Sequence, residues 1–257
     1  THELNLGGLG TTGGIAANKL AHEADVVIGV GTRYTDFTTA SKWLYRTDAK
    51  FVNINPSEFQ AYKMDATPVV ADANEALTAL GEELAKKAYA EEVAALRKEW
   101  WTEVERLDAV EYTDKEHFTP EINDANRECV EKYIEDTGCK LCQTTVLGTI
   151  NHMIDDNAIV CAAAGSLPGD MQGLWRARKE NTYHMEYGYS CMGYEVASAL
   201  GAKIACPDQE VYAMCGDGSF DMLHSELITS VQTGHKINVM LFDNASFGCI
   251  NNLEVGQ

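Results

Sequence analysis

The thirty residues 215–244 constrain this chain more than any other stretch. They open with Cys215-Gly216-Asp217-Gly218-Ser219-Phe220 and close with Val239-Met240-Leu241-Phe242-Asp243-Asn244. The apolar run just before the glycines, Val211-Tyr212-Ala213-Met214-Cys215, has the length and composition of a strand. Phe220, Leu223, Leu227, Ile228 and Val231 then recur at spacings near three and four. That spacing predicts one amphipathic helix, with Gly234 placed to end it. Ile237 to Phe242 reads as a second strand. Strand, helix and strand of these lengths make a right-handed βαβ unit with parallel strands. Asp217 and Asn244 then fall at the carboxyl ends of two strands in one sheet, where open α/β sheets take their ligands.

A carboxylate oxygen and a carboxamide oxygen converging at that place suit a hard cation. Mg²⁺ prefers oxygen donors, takes few of them from protein, and completes its shell with phosphate and water. Gly216 and Gly218 let backbone approach a phosphate closely, and a helix beginning near Phe220 presents free N–H groups to it. A lone Gly-Asp-Gly is an ordinary turn in any α/β protein. Its pairing with a polar strand end at this distance is what points to a cation.

The rest of the chain alternates strand and helix signals, as an α/β protein of two Rossmann-like, doubly wound domains with mainly parallel sheets would. Its length of 257 residues suits one large or two ordinary domains. Three segments are expected: a Rossmann-like domain over 1–90, a charged helical connection over 91–137, and the cation-binding domain over 138–257. In the first, strands are predicted near 24–30 and 51–55, and a helix over 74–87. Gly8-Leu9-Gly10-Thr11-Thr12-Gly13 matches the dinucleotide fingerprint. It follows only a weak strand, however, and the next strand ends in Gly31-Thr32-Arg33 rather than in an acid. A tight turn packed on a helix is expected there. Arg33 and Asp36 stand at a strand end, as functional groups or as loop contacts. In the connection, Val93, Leu96, Trp100, Val104 and Leu107 form a helical stripe. In the third segment a strand over 158–162 leads into Ala164-Gly165-Ser166-Leu167-Pro168-Gly169-Asp170, a loop able to donate N–H groups to a diphosphate or simply to connect two elements. Arg176 follows, as an anion ligand or a surface residue.

Composition excludes several classes. A net charge of −19 argues against nucleic acid and anionic membranes. No run approaches the roughly 20 apolar residues of a membrane span. Several of the eight cysteines lie in apolar runs, including Cys161, Cys206 and Cys215, as buried thiols of a cytoplasmic protein would. Cys139-Lys140-Leu141-Cys142 lacks a second ligand pair, so neither zinc nor a redox role is expected of it. The chain starts at Thr1 without Met or a secretory signal and stops at Gln257 just past the cation loop, so both ends are expected to be cut.

Gly216-Asp217-Gly218-Ser219, with its distant Asp243-Asn244 pair, resembles the signature of thiamine-diphosphate (ThDP) enzymes such as acetohydroxyacid synthase and pyruvate decarboxylase. Asp243 stands where many of them have a first Asn. The resemblance implies a ThDP-binding fold, with Mg²⁺ held by Asp217, Asn244 and the carbonyl of Ser246. It implies that Gly165, Ser166, Leu167, Gly216, Gly218 and Ser219 border the cofactor. Met192, just before a glycine, would wedge between the cofactor's two rings, and the Ser190 carbonyl would accept from its amino group. The glutamate that touches the pyrimidine in such enzymes lies in an N-terminal domain that no segment here matches.

Further stretches are similar to the ring-opening ThDP hydrolases of myo-inositol catabolism. They are Asn5-Leu6-Gly7-Gly8, residues 166–170 and 186–195, Met222-Leu223-His224-Ser225-Glu226-Leu227, and Phe247-Gly248-Cys249-Ile250-Asn251-Asn252. This implies hydrolysis of a polyol-derived cyclic 1,2-diketone to 5-deoxyglucuronate, by a homodimer or homotetramer when full-length. His224 is the nearest candidate acid or base, or else an outward helix histidine, and Cys249 and Asn251 are open in role. An acetohydroxyacid synthase-like carboligase and a nucleotide-binding module built on the Gly8–Gly13 turn are the alternatives.

Overall fold

A computed structural model of the chain describes residues 2–84, 89–110, 132, 135, 136, 138 and 141–255. Two compact units divide it, His2–Trp101 and Thr102–Gln257. The division falls inside one helix. Cys139 of the CxxC and most of the connection after Val110 lie outside the described residues.

The first unit runs α1 (Ile15–Glu23), β1 (Val26–Val30), α2 (Asp36–Thr39), β2 (Lys50–Ile54), α3 (Glu58–Ala61), β3 (Thr67–Val69), α4 (Ala73–Glu83) and the start of α5 (Ala90–Leu107). Its three strands are parallel in the order β1-β2-β3, with Gly29 opposite Asn53 and Asn53 opposite Pro68. Asp72 starts α4 by accepting the N–H groups of Asn74 at 2.8 Å and Glu75 at 3.3 Å, which satisfies two orphan donors of the first turn. No strand precedes the Gly8–Gly13 turn among the described residues. Its centre, Gly10, sits at φ +103°, where a Cβ would lie 1.9 Å from the Phe37 carbonyl oxygen. Thr11 N–H donates to that same oxygen, and the Asn18 amide bridges Gly10's N–H and carbonyl. Close backbone approach accounts for this glycine. The α5 stripe is buried at Val93, Leu96, Trp100 and Val104.

The second unit runs α6 (Gln143–Met153), β4 (Ile159–Ala162), α7 (Ser166–Leu174), β5 (Tyr183–Met185), α8 (Tyr194–Ala205), β6 (Val211–Gly216), α9 (Asp217–Met222), α10 (Glu226–Thr233), β7 (Asn238–Phe242) and α11 (Gly248–Val255). Its four strands are all parallel, in the order β5-β4-β6-β7. Alternation along the central strands builds a core on each face. Val160, Ala162 and Met214 pack with Leu147, Leu167 and Met171 from α6 and α7. Ile159, Cys161, Val211 and Ala213 pack with Ala199 of α8 on the other face. The connection leaving β4 goes to one side, to β5, and the chain then returns to the other side, to β6. Between the carboxyl ends of β4 and β6 the winding therefore changes direction, and a crevice opens at such a switch point. No helix among the described residues is long and apolar enough to cross a membrane.

The single helix expected over 220–234 is two. The backbone becomes extended at Leu223 (φ −156°, ψ 90°), where Leu223 Cβ seats against Gly193. That tertiary contact overrides the periodicity. Gly234 does end α10, at φ +71°, with its N–H turned back to Ser230 and Val231. The apolar face read from the spacing is not the buried one: Ile228 and Val231 are exposed, whereas Ser230 is buried and donates to the His235 carbonyl.

Met214 is fully buried between the sheet and the helices α6 and α7, and Met153 is 80% exposed at the end of α6. Met214→Ala is expected to lower stability by about 2–5 kcal/mol in denaturant titration, and Met153→Ala by no more than about 0.5 kcal/mol. Equal losses would show that the core is not where the strands place it.

Candidate functional site

The register of β6 and β7 builds the site. Gly216 pairs with Phe242, and parallel neighbours run about 4.8 Å apart. Asp217 leaves the first strand and Asp243-Asn244 leave the second, so all three emerge from adjacent strand ends. Two side-chain turns then shape the loop after β7. Asp243 Oδ1 accepts the Ala245 N–H at 2.9 Å, and Asn244 Oδ1 accepts the Ser246 N–H at 3.1 Å, with Ala245 left-handed at φ +52°. Asp243 thus shapes the loop, while Asn244 and Ser246 border the space above the sheet.

That space is a cleft of about 270 Å³. The stretch 164–170 expected as a loop turns helical at Ser166: Gly165 comes from the turn after β4, Ser166 and Leu167 from the first turn of α7, and Ser190 and Met192 from the segment before α8. Gly216 comes from the end of β6, Asp217, Gly218 and Ser219 from the start of α9, and Asn244 and Ser246 from beyond β7. Every residue that the sequence placed against a cofactor or metal borders this one cleft. His224 does not: its ring stacks on Phe220, with centroids 4.9 Å apart, and its Nδ1 lies 2.9 Å from the Phe220 carbonyl. Phe247 and Ile250 add apolar lining to which the sequence assigned no role, and Gln143 adds a polar carboxamide whose Nε2 donates to Asp170 Oδ2 at 2.6 Å.

Glycines line the cleft for distinct reasons. Gly165 is at φ +107°, and a Cβ there would meet nothing within 4 Å, so it would project into free space. At Gly218 a Cβ would sit 2.5 Å from the Phe247 ring. Oxygen dominates the donors: the Asp217 carboxylate, the Asn244 carboxamide and Ser246. Among the described residues no three His, Cys, Asp or Glu side chains gather as metal ligands. A carboxylate with neutral oxygens fits Mg²⁺ and its phosphate ligands better than a thiolate- or imidazole-seeking metal.

Two carboxylates hold the segment that carries Ser190 and Met192. Glu186 accepts the N–H groups of Tyr189 and Cys191, each at 2.8 Å, around the left-handed Ser190 (φ +59°). Those N–H groups, Tyr189's first, hold its carboxyl below the usual carboxylate range. Glu195, 1% exposed in the first turn of α8, accepts the Ser219 hydroxyl at 2.8 and 2.9 Å and the Gly193 N–H at 3.0 Å. Burial pushes its carboxyl up, against the opposing pull of those donors. Neither role was read from the sequence. A Glu within two residues of the Met-Gly turn was the available signal.

Burial also separates the thiols. It pushes Cys161 up to about 11 and Cys215 up to about 12, whereas Cys191 and Cys249 are exposed and Cys249 borders the cleft. Thiolate is the reactive form. A maleimide at pH 8 is expected to label Cys191 and Cys249 in the folded protein and Cys161 and Cys215 only after unfolding, as read by peptide mass mapping. Labelling of Cys215 in the folded state would contradict the burial of β6.

Comparison with known proteins bears on both units. Residues 1–80 match the family model described as "Thiamine pyrophosphate enzyme, central domain". Residues 163–256 match "Thiamine pyrophosphate enzyme, C-terminal TPP binding domain". Over 262 aligned positions the chain is 57% identical to proteins named 3D-(3,5/4)-trihydroxycyclohexane-1,2-dione hydrolase from Bacillus cereus (strain AH820) and Bacillus anthracis (strain A0248). It is 56% identical to the protein of that name from Bacillus thuringiensis (strain Al Hakam). Each alignment covers 100% of this chain, and the chain spans 40% of the length of each relative.

Proposed function

We propose, for a chain that belongs to the thiamine pyrophosphate enzymes and carries their central and C-terminal TPP-binding domains, that the cleft holds ThDP with Mg²⁺. We propose further that the intact protein opens a cyclic 1,2-diketone by hydrolysis. One observation carries the cofactor reading: residues drawn from four separate strand-end segments, each named for the cofactor or its metal, border a single cleft. The substrate reading follows the names of the relatives, 3D-(3,5/4)-trihydroxycyclohexane-1,2-dione hydrolases.

Asp217, Asn244 and the Ser246 carbonyl would hold the cation, which in turn neutralises the diphosphate. Gly165 and Gly216 leave room for phosphate oxygens to approach backbone N–H groups, whereas Gly218 makes room for the Phe247 ring. Leu167, Met192 and Phe247 supply apolar surface to the rings and keep water from them. The Ser190 carbonyl would accept from the cofactor's amino group and orient it. When bound, ThDP supplies a carbon nucleophile and an electron sink for breaking a bond next to a carbonyl, while the protein contributes binding, orientation and electrostatics. The product would be 5-deoxyglucuronate. A cytoplasmic homo-oligomer is the assembly proposed.

Titration calorimetry on the intact protein tests this reading. Mg²⁺-dependent ThDP binding is expected in the wild type. Asp217→Ala and Asn244→Ala are each expected to weaken it about tenfold or more, which is about 1.4 kcal/mol per decade. His224→Ala, outside the cleft, should leave it unchanged. Absence of ThDP binding by the wild type would sink the cofactor assignment. Turnover of the trihydroxycyclohexanedione to anything but the ring-opened acid would sink the reaction.

A further inference from the structure

We infer that Glu195 is a positioning residue of this site: it ties the Met192–Gly193 turn to Ser219 of α9, so that two walls of the cleft keep a fixed spacing. This rests on the reading of the cleft as a ThDP site. Met192 precedes Gly193 directly, and Gly218 precedes Ser219 directly; Met192, Gly218 and Ser219 border the cleft. Glu195 itself does not border it. Its carboxylate is buried behind, with the Ser219 hydroxyl at 2.8 and 2.9 Å and the Gly193 N–H at 3.0 Å. Gly193 N–H also lies 2.8 Å from Ser219 Oγ, which closes a three-membered network among the turn, α8 and α9.

A local helix cap would need only part of this. Glu195 lies in the first turn of α8, where an anion is favoured and where a side chain reaching back to the N-cap N–H is a common device. Such a cap needs no partner twenty-four residues away, yet the Ser219 hydroxyl is committed to this carboxylate. Gly193 is held from a third side as well. At φ +90° it leaves no room for a side chain, since a Cβ would sit 2.7 Å from that of Leu223. The Met192 turn is therefore wedged between the break after α9 and the buried carboxylate. In a buried polar network, loss of one member leaves the others without partners. The consequence of removing Glu195 should then appear in the cleft, which it does not touch.

The experiment compares wild type, Glu195→Gln, Ser219→Ala and the double variant in the intact protein, by ThDP titration calorimetry at saturating Mg²⁺ and by melting of the cofactor-free protein. Glutamine keeps the shape but replaces one carboxylate acceptor by an N–H₂, so the Ser219 hydroxyl and the Gly193 N–H must share the single oxygen that is left or the hydroxyl must turn to accept. Glu195→Gln is expected to raise the ThDP Kd fivefold or more, and the double variant to be no more than twofold weaker than the weaker single. Steady-state kinetics at saturating ThDP should leave the substrate KM unchanged. If Glu195→Gln does not fold, Glu195→Asp, which keeps the charge but withdraws the carboxylate from Ser219, decides with the same fivefold threshold. A ThDP Kd within fivefold of wild type, with or without a lower melting temperature, reduces Glu195 to a helix cap and overturns the inference. Multiplicative effects in the double variant overturn it too. Failure of the wild type to bind ThDP would instead overturn the cofactor reading on which it rests.

Discussion

The pairing of Gly216 with Phe242 in parallel register is the constraint on which the rest of the site depends. It brings a carboxylate and a carboxamide that lie far apart in the chain to neighbouring strand ends. Register in a sheet buried on both faces is strongly specified, because a one-residue slip would exchange the two faces. Here such a slip would send Met214 and Val160 to the face now filled by Ala213 and Cys161, where α8 presents the small side chains Ala199 and Ala202. The core therefore enforces the geometry of the site, and the site needs no contact of its own to align the strands. The winding of the sheet adds the second condition. Because the order of winding reverses between β4 and β6, the Gly165 turn and the Asp217 end of α9 flank one crevice.

Around that rigid frame the chain places conformations that a core would not tolerate. Ser190, Gly193 and Ala245 are left-handed, and Gly165 lies at φ +107°. Backbone strain of this kind costs on the order of 1–3 kcal/mol at a non-glycine residue and persists only where its surroundings over-determine it. Two glutamates supply much of that determination, by opposite electrostatics. Glu186 is solvated and draws in the N–H groups that bend the loop, which lowers its affinity for a proton. Glu195 is buried and raised, and its donors come from two different segments. The first shapes a turn, whereas the second joins elements.

The helix over 220–234 shows where a one-dimensional reading stops. Phe220, Leu223, Leu227, Ile228 and Val231 carry helical periodicity, yet the helix breaks at Leu223 because that residue fills the gap left by Gly193. His224 stood out by its chemistry, but the break turns it back onto Phe220 and away from the cleft. Asp243 stood out by its charge, and its side chain serves the backbone of its own loop. Gly8–Gly13 matched a fingerprint, and a close approach to the Phe37 backbone accounts for its central glycine.

By itself the sequence determined what repeats or sits adjacent along the chain. It determined the alternation of strands and helices, the parallel strands that carry Asp217 and Asn244 at their ends, and the helix stop at Gly234. Those are consequences of periodicity and of local backbone sterics, which neighbouring residues carry within themselves. Only the tertiary structure decided where Leu223 would interrupt a helix and which face of residues 226–233 would be buried. It alone decided that His224 would fall outside the cleft, and that Glu195 would find Ser219. Each of these depends on the distance between segments remote in sequence, a quantity set by the packing of the whole sheet and written in no single stretch.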